Sequence, residues 1–373
     1  MQVPFIDLKR FEPGFLEQWQ DKVAVMSKNA SFIGGSEVSD LENKLKDLTQ
    51  NNFAVSCANG TDAIQLALRA LGVGRNDLVL VPNMTFWATF EAVVNVGASP
   101  VTVDIDLTDG GIDLEMFKQA AVKFKPKAAV IAHLYGWASA KLEEIRIYCK
   151  DQGVFLVEDG AQCFGAEYNG ESIFKKALVS TTSFYPAKVL GAAGDGGAVF
   201  TNDAVLAEKV RQLGNHGRTT HYGYGAIGWN SRLDSLQAAF LNLSLNYLPQ
   251  RLASRREAVT YYNNILPSFG LRQIKAPGIF LENGYCNVCF IEDSSLKSKL
   301  ETALKANGIG FGNIYPGAMS DQPGAVGFLH AHVGGDSAQR LCRSVLNLPL
   351  FPYMKPEELT EVTNVVRSVF DKE

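Results

Sequence analysis

Lys188 ends the run Ser183-Phe184-Tyr185-Pro186-Ala187-Lys188, and Gly191-Ala192-Ala193-Gly194-Asp195-Gly196-Gly197 and the apolar Ala198-Val199-Phe200 follow it. A lysine after a Ser/Thr-rich strand and on a glycine-rich turn is poorly placed for a surface ion pair. It is well placed as an amine held beside a carbonyl compound. Upstream, the apolar Val154-Phe155-Leu156-Val157 runs straight into Glu158-Asp159-Gly160-Ala161-Gln162. An acid at one strand end and an amine at a later one are what pyridoxal phosphate requires. The amine forms the imine, and the acid holds the pyridine nitrogen protonated.

A second site stands apart from the lysine. Cys57-Ala58-Asn59-Gly60-Thr61-Asp62 precedes a strongly helical stretch, so free N–H groups and the positive end of a helix dipole face the loop. Gly60 and Thr61 can bind an anion there, although Thr61 or Asp62 reads equally well as a helix cap. No Lys-Ser/Thr pair of a nucleotide P-loop follows. The glycines after Lys188 do not form a dinucleotide fingerprint, because Val199-Phe200 continues as a strand. Asn59-Gly60-Thr61 is formally a glycosylation sequon, but it lies in this anion loop. Cys286 and Cys289 have C-x-x-C spacing without a second pair or a nearby histidine, so they read as strand cysteines and no metal site is expected.

These residues need a scaffold of alternating elements. Apolar spacing predicts helices over Asp40 to Leu48, Thr61 to Leu71 and Leu142 to Cys149, with strands at Leu78 to Val81, Val101 to Asp104, Ala128 to Ala132 and Val154 to Val157. Strand and helix alternating without hairpin signals implies an α/β fold with a mostly parallel sheet covered on both faces. Ligands then bind beyond the carboxyl ends of the strands, where His133, Asp159 and Lys188 would converge. A His-, Gly- and Tyr-rich loop spans His216 to Gly228, and a long helix is expected from about Ser231. Residues 1–246 read as an N-terminal arm and a large domain. Residues 247–373 read as a smaller C-terminal α+β domain with a strand at Tyr285 to Ile291, a helix at Leu296 to Asn307 and a closing helix from Glu357 to Phe370.

Composition narrows the function classes. At 373 residues and 46% hydrophobic, the chain can bury a large core. A net charge of −4 without a basic stripe argues against nucleic acid. No apolar run approaches the roughly 20 residues that span a bilayer, no secretion signal opens the chain, and six cysteines make no disulfide framework. A cytoplasmic enzyme with no membrane partner is expected.

The ordered set of motifs resembles the DegT/DnrJ/EryC1/StrS family of pyridoxal-phosphate-dependent sugar aminotransferases, which have the type I aminotransferase fold. The matching stretches are Phe5-Ile6-Asp7-Leu8, Phe32-Ile33-Gly34-Gly35, Asn59-Gly60-Thr61-Asp62-Ala63, Pro82-Asn83-Met84-Thr85-Phe86 and His133-Leu134-Tyr135-Gly136. Glu158 to Gln162, Ser183 to Gly197, Gly228-Trp229-Asn230-Ser231-Arg232-Leu233-Asp234 and Gln322-Pro323 continue the series. The resemblance implies that Lys188 forms the imine and shuttles the proton, passing the cofactor through its pyridoxamine form. It implies that Asp159 holds the pyridinium, Gln162 bonds the phenolic oxygen and Phe86 stacks on the ring. Gly60, Thr61 and Ser183 would hold the phosphate, with Asn230 reaching it from the other subunit of a homodimer with composite sites. Arg232 and Tyr315 are the candidate substrate contacts.

The implied reaction moves an amino group from an amino acid, glutamate by expectation, to a nucleotide-linked keto-sugar. The Gly-x-x-Gly-Asp-Gly-Gly segment at Gly191 to Gly197 looks more like relatives acting at C-3 of a dTDP- or UDP-hexose than at C-4. A dehydratase branch carries histidine at the lysine position, which Lys188 opposes. A non-catalytic regulator would be expected to lose Asp159 or Lys188, and both are present. Departures at Trp137, Gly160, Cys163 and Phe164, and the missing histidine near Tyr315, are expected to reshape the sugar pocket.

Overall fold

In the computed structural model, which describes residues 1–370, the apolar runs become β1 (Phe53–Cys57), β2 (Leu78–Pro82), β3 (Ser99–Val103), β4 (Ala128–Ala132), β5 (Phe155–Asp159), β6 (Val179–Ser183), β7 (Gly197–Thr201) and β8 (Ala331–Val333). They form one eight-stranded sheet in the order β1-β7-β6-β5-β4-β2-β3-β8. β7 is antiparallel to both neighbours and every other pairing is parallel. The fold is thus the α/β type with a mixed, mostly parallel sheet.

Side chains alternate across each strand, and both faces are buried, which is why the strands read as nearly continuous apolar runs. Val55, Val79, Val81, Val130 and Val157 enter one core with Ile64, Leu66 and Leu68 of the helix Gly60–Ala70. Ala54, Leu80, Ile131 and Leu156 enter the other, against Leu142 and Ile145 of the helix Leu142–Gln152 and Leu241 and Leu245 of the long helix.

That long helix, Ser235–Ile265, starts four residues later than the expected Ser231. Residues before it are held extended: the Ser231 N–H donates to the Gly214 carbonyl at 2.8 Å and Asp234 bridges to Ile33. The helix runs unbroken through residue 246, and its far half, with Ala258 and Tyr262, packs in a third core with Leu300, Leu304, Leu346, Val362 and Val366. Val3 of the N-terminal arm joins this core by pairing with Ile309. We keep 247–373 as the proposed extent of the smaller unit; residues 371–373 lie outside the described ones. The expected strand Tyr285 to Ile291 shortens to Val288–Phe290. The Tyr285 N–H is taken by Asn283 Oδ1 at 2.9 Å and the Cys286 N–H by the Tyr135 carbonyl at 3.4 Å, so these residues leave the ladder. No helix among the described residues is long and apolar enough to cross a membrane.

One contact brings the anion loop onto the sheet. Gly197 opens β7 opposite both Cys57 and Ser183, and a Cβ there would lie 2.4 Å from the Asn59 carbonyl oxygen. Gly197→Ala is expected to destabilise the fold by roughly 1–3 kcal/mol through overpacking, read as a lower urea midpoint. An unchanged midpoint would show that the loop does not need this approach.

Candidate active site

The carboxyl ends of β4, β5 and β6 meet at one edge of the sheet, with Ala132 opposite Asp159 and Asp159 opposite Thr181. Asp159 lies on the same strand face as Val157, towards the helix Trp87–Asn95. The Thr89 hydroxyl of that helix donates to Asp159 Oδ2 at 2.9 Å, and the Ala161 N–H donates to Oδ1 at 3.1 Å. Thr85 and Thr89 hydroxyls are 2.8 Å apart. Because Thr89 spends its one proton on Asp159, Thr85 must be the donor of that pair. The backbone is fixed as well: the His133 N–H donates to the Asp159 carbonyl and the Gly160 N–H to the Thr181 carbonyl, each at 2.9 Å.

The neighbouring Glu158 points to the opposite face and is fully buried. Arg146 grips it with bonds of 2.7 Å to Oε1 and 2.8 Å to Oε2, and His133 Nε2 lies 2.9 Å from the same Oε2. Burial pushes this carboxyl up, but the Arg146 charge and the hydrogen bonds from His133 and Arg146 outweigh it and hold the pKa at about 2.

Lys188 follows a turn in which its N–H donates to the Tyr185 carbonyl at 2.8 Å. Its amine lies 3.4 Å from the Tyr285 hydroxyl and 5.2 Å from that ring's centre. Burial lowers the amine's pKa below the usual lysine value, and the Asp159 charge is the leading influence in the other direction. Gln162, which alone reads as a surface amide, is buried. Its Oε1 accepts from the Tyr135 N–H at 2.6 Å and its Nε2 donates to the Tyr315 hydroxyl. Tyr135 and Tyr315 both have left-handed backbones, with φ of 62° and 63°. For a bulky residue that conformation is strained and gathers at functional sites.

The anion loop closes the far side. Asn59 caps the helix Gly60–Ala70 by accepting from the Asp62 N–H at 2.8 Å, while the first-turn N–H groups of Gly60 and Thr61 have no intrahelical acceptor. A Cβ on Gly60 would fall 2.7 Å from Ser183 Cβ, so Ser183 faces this turn directly. Asn230 and Arg232 form a separate pair beside Ala58 and Asn59. Arg232 donates to Asn230 Oδ1 at 2.6 Å and to Asn215 Oδ1 at 3.1 Å. Phe86 stands at the start of the helix Trp87–Asn95 and is 60% exposed.

Thr89 and Asn283 carry no local sequence signal, and Tyr135 and Tyr285, which lie in a motif and in an expected strand, have no site role in the sequence reading. The departures expected to shape a sugar pocket do not reach a surface: Trp137, Cys163 and Phe164 are buried in the core. Trp137 Nε1 donates to the Asp109 carbonyl at 2.9 Å, and a Cβ on Gly160 would meet the Phe174 ring at 2.1 Å. They act on packing beneath the site.

Residues 16–367 match the model of the DegT/DnrJ/EryC1/StrS aminotransferase family. A UDP-2-acetamido-2-deoxy-3-oxo-D-glucuronate aminotransferase of Pseudomonas aeruginosa is 35% identical over 94% of this chain and 96% of its own length. A UDP-N-acetyl-3-dehydro-alpha-D-glucosamine 3-aminotransferase of Acidithiobacillus ferrooxidans is 36% identical over 98% of this chain and 97% of its own. The crystal structure of S. venezuelae DesV in complex with a ketimine intermediate superposes with a TM-score of 0.92 at 32% identity, covering 98% of each chain. The chain belongs to the DegT/DnrJ/EryC1/StrS aminotransferase family.

The Glu158 cluster makes a pH prediction. Its folded pKa of about 2 lies below the ordinary 4.5, so its stabilisation is present above about pH 4.5 and is lost as pH falls through the folded value. Glu158→Gln removes the buried charge that Arg146 grips, leaving it only the more distant Glu143 carboxylate at 3.9 Å among the described residues, and should cost about 3–5 kcal/mol at neutral pH, with a flatter loss of stability on acidification. Parallel acid limbs for the variant and the wild type would contradict this.

Proposed function

We propose that this member of the DegT/DnrJ/EryC1/StrS aminotransferase family binds pyridoxal phosphate and moves an amino group from an amino acid, L-glutamate, to a keto carbon of a nucleotide-linked sugar. The observation behind this reading is the meeting of a desolvated amine at Lys188 and an oriented carboxylate at Asp159, beyond the carboxyl ends of parallel strands.

The residues fit that cofactor. Asp159 keeps acceptor capacity beyond its bonds from Thr89 and Ala161, and beside it the buried Thr181 hydroxyl has no hydrogen-bond partner among the described residues. Gly60, Thr61 and Ser183 make an anion cradle too close for a Cβ at position 60. When bound, the cofactor supplies a carbonyl for amine chemistry and a ring that takes up the electron pair left by a departing proton. Asp159 holds a proton at the ring nitrogen. Lys188 Nζ takes the donor's α-proton and returns it, and its lowered pKa raises the share of free amine available at neutral pH. Gln162 spends one N–H on Tyr315 and keeps the second for the phenolic oxygen. The ring of the exposed Phe86 supplies the stacking face.

The P. aeruginosa and A. ferrooxidans relatives, whose substrates are named as 3-oxo and 3-dehydro sugars, together with the Gly191–Gly197 segment, favour C-3 of a UDP- or dTDP-linked hexose over C-4. Arg232 and Tyr315 are the proposed substrate contacts. Tyr222 and Ile227, each 85% exposed, and Tyr224, 60% exposed, leave the His216-to-Gly228 loop with an apolar surface that suits a partner subunit. The proposed assembly is therefore a homodimer with Asn230 completing the partner's phosphate site. Six free, buried cysteines suit the reducing cytoplasm.

Incubation with glutamate and a panel of 3-keto and 4-keto nucleotide sugars, read by mass, should give an amino sugar from the 3-keto substrates. Product from 4-keto sugars alone would move the amine to C-4, and no product from either would remove the reading. Lys188→Ala should abolish turnover and the visible absorbance of the loaded protein while the fold persists. Mixing Lys188→Ala with Asn230→Ala chains, each nearly inactive, should restore activity through hybrid dimers with one intact site. No recovery after confirmed subunit exchange would place Asn230 in its own chain's site.

A further inference from the structure

A cavity of about 310 Å³ is lined by Lys188, Arg10, Arg251 and Arg255, with Phe11 and Trp19 among its apolar walls. The cations differ in how they are balanced. Arg10 is held by Asp7 at 2.8 Å and by Glu358 at 2.9 Å. Arg251 is gripped by both oxygens of Glu12 at 2.7 and 2.6 Å. Arg255, one turn further along the long helix, has no carboxylate partner among the described residues. Its Nη1 donates to the carbonyls of Gly284 at 3.0 Å and Leu350 at 3.4 Å. Its Nε is buried without a hydrogen-bond partner among the described residues.

Arg255 is 5% exposed, and burial lowers its pKa to about 10. A guanidinium this desolvated and without a counter-charge is costly, and buried charges are otherwise found paired. Two neutral carbonyls do not supply the missing charge. The backbone ties it to the chemistry: Arg255 is anchored on Gly284, and the next residue, Tyr285, touches the Lys188 amine. A ligand that brings an amine to Lys188 and a negative group to Arg255 would match both. An α-amino acid is such a ligand, and a guanidinium receives a carboxylate with two parallel bonds.

We propose that Arg255 is the carboxylate subsite for the amino-acid donor, in the cavity it shares with Lys188. This rests on the transaminase reading, and it assigns the donor's anion to a residue distinct from Arg232. The nucleotide-sugar acceptor then depends on other groups.

Glutarate, which has the carboxylates of glutamate and no amine, separates binding from turnover. Calorimetric titration of the holoenzyme with glutarate and, separately, with UDP should show glutarate affinity falling at least tenfold in Arg255→Lys and in Arg255→Met, with UDP affinity within twofold of wild type. The KM for L-glutamate should rise at least tenfold while the KM for the keto-sugar nucleotide stays within twofold. Melting temperature identifies any unfolded variant, and Arg255→Lys, which keeps the charge, remains for the test if Arg255→Met does not fold. Unchanged glutarate affinity in a folded variant overturns the proposal, as does loss of UDP affinity in place of glutarate's. Equal losses for both ligands overturn it too, because they mark Arg255 as a structural tie between Gly284 and Leu350. The glutarate titration reads this site even if no keto-sugar is turned over, so failure of the substrate assignment is seen separately.

Discussion

Two adjacent carboxylates at the end of β5 must both be satisfied inside the protein, and the strand's two-residue period sends them to opposite faces. Glu158 turns into the larger core and takes an arginine and a histidine. Asp159 turns towards the helix Trp87–Asn95 and takes only a hydroxyl and a backbone N–H. The difference in partners divides their roles. A carboxylate gripped by a guanidinium has no chemistry left to do and serves as an anchor. One that accepts from weak neutral donors keeps charge available for a ligand. The anchor steadies the same strand end from which Asp159 projects, and the His133 N–H closes the arrangement by bonding the Asp159 carbonyl.

Much of this could be read in the sequence because strand ends are local signals. Val154 to Val157 followed by two acids, and a Ser/Thr-rich strand followed by a lysine on glycines, mark positions without knowledge of the rest of the fold. Gln162 also stood out by position, although its burial did not: its amide is enclosed by Tyr135 and Tyr315, which come from distant parts of the chain. Thr89 looks like any hydroxyl in an apolar helix until the register of β5 brings Asp159 against it. The strand expected from Tyr285 does not form there, because Asn283 and Tyr135 take the backbone groups a ladder would use. β8, of three residues, was too short for its periodicity to show.

The misplaced start of the long helix has the same origin. Apolar spacing from Leu233 to Leu243 fits a helix, but Ser231 is needed elsewhere: its hydroxyl accepts from the Ala58 N–H at 3.2 Å and its backbone pairs with Gly214. Holding the anion loop has displaced the local preference for helix over these residues. Long-range hydrogen bonds of this kind override a propensity worth a few tenths of a kcal/mol per residue.

Residues between 283 and 315 make much of the site. Asn283 donates to the carbonyls of Gln162 and Phe164 at 2.8 and 3.0 Å and receives the Tyr285 N–H, so one amide joins the β5 loop to the residue that touches Lys188. Tyr315 holds Gln162 from the same stretch. Gln162 and Lys188, which precede the long helix in the chain, are thus contacted by residues that follow it. A Cβ on Gly136 would sit 2.4 Å from Asn283 Oδ1, so the His133-to-Gly136 turn and the Asn283 turn are packed without room for adjustment. A shift of residues 283–315 by an ångström would move the Lys188 partner, the Gln162 amide and the Arg255 anchor together. The Lys188 amine, the Tyr285 hydroxyl beside it and the Arg255 guanidinium are in this way set by one packed junction, and the strand ends alone do not determine them.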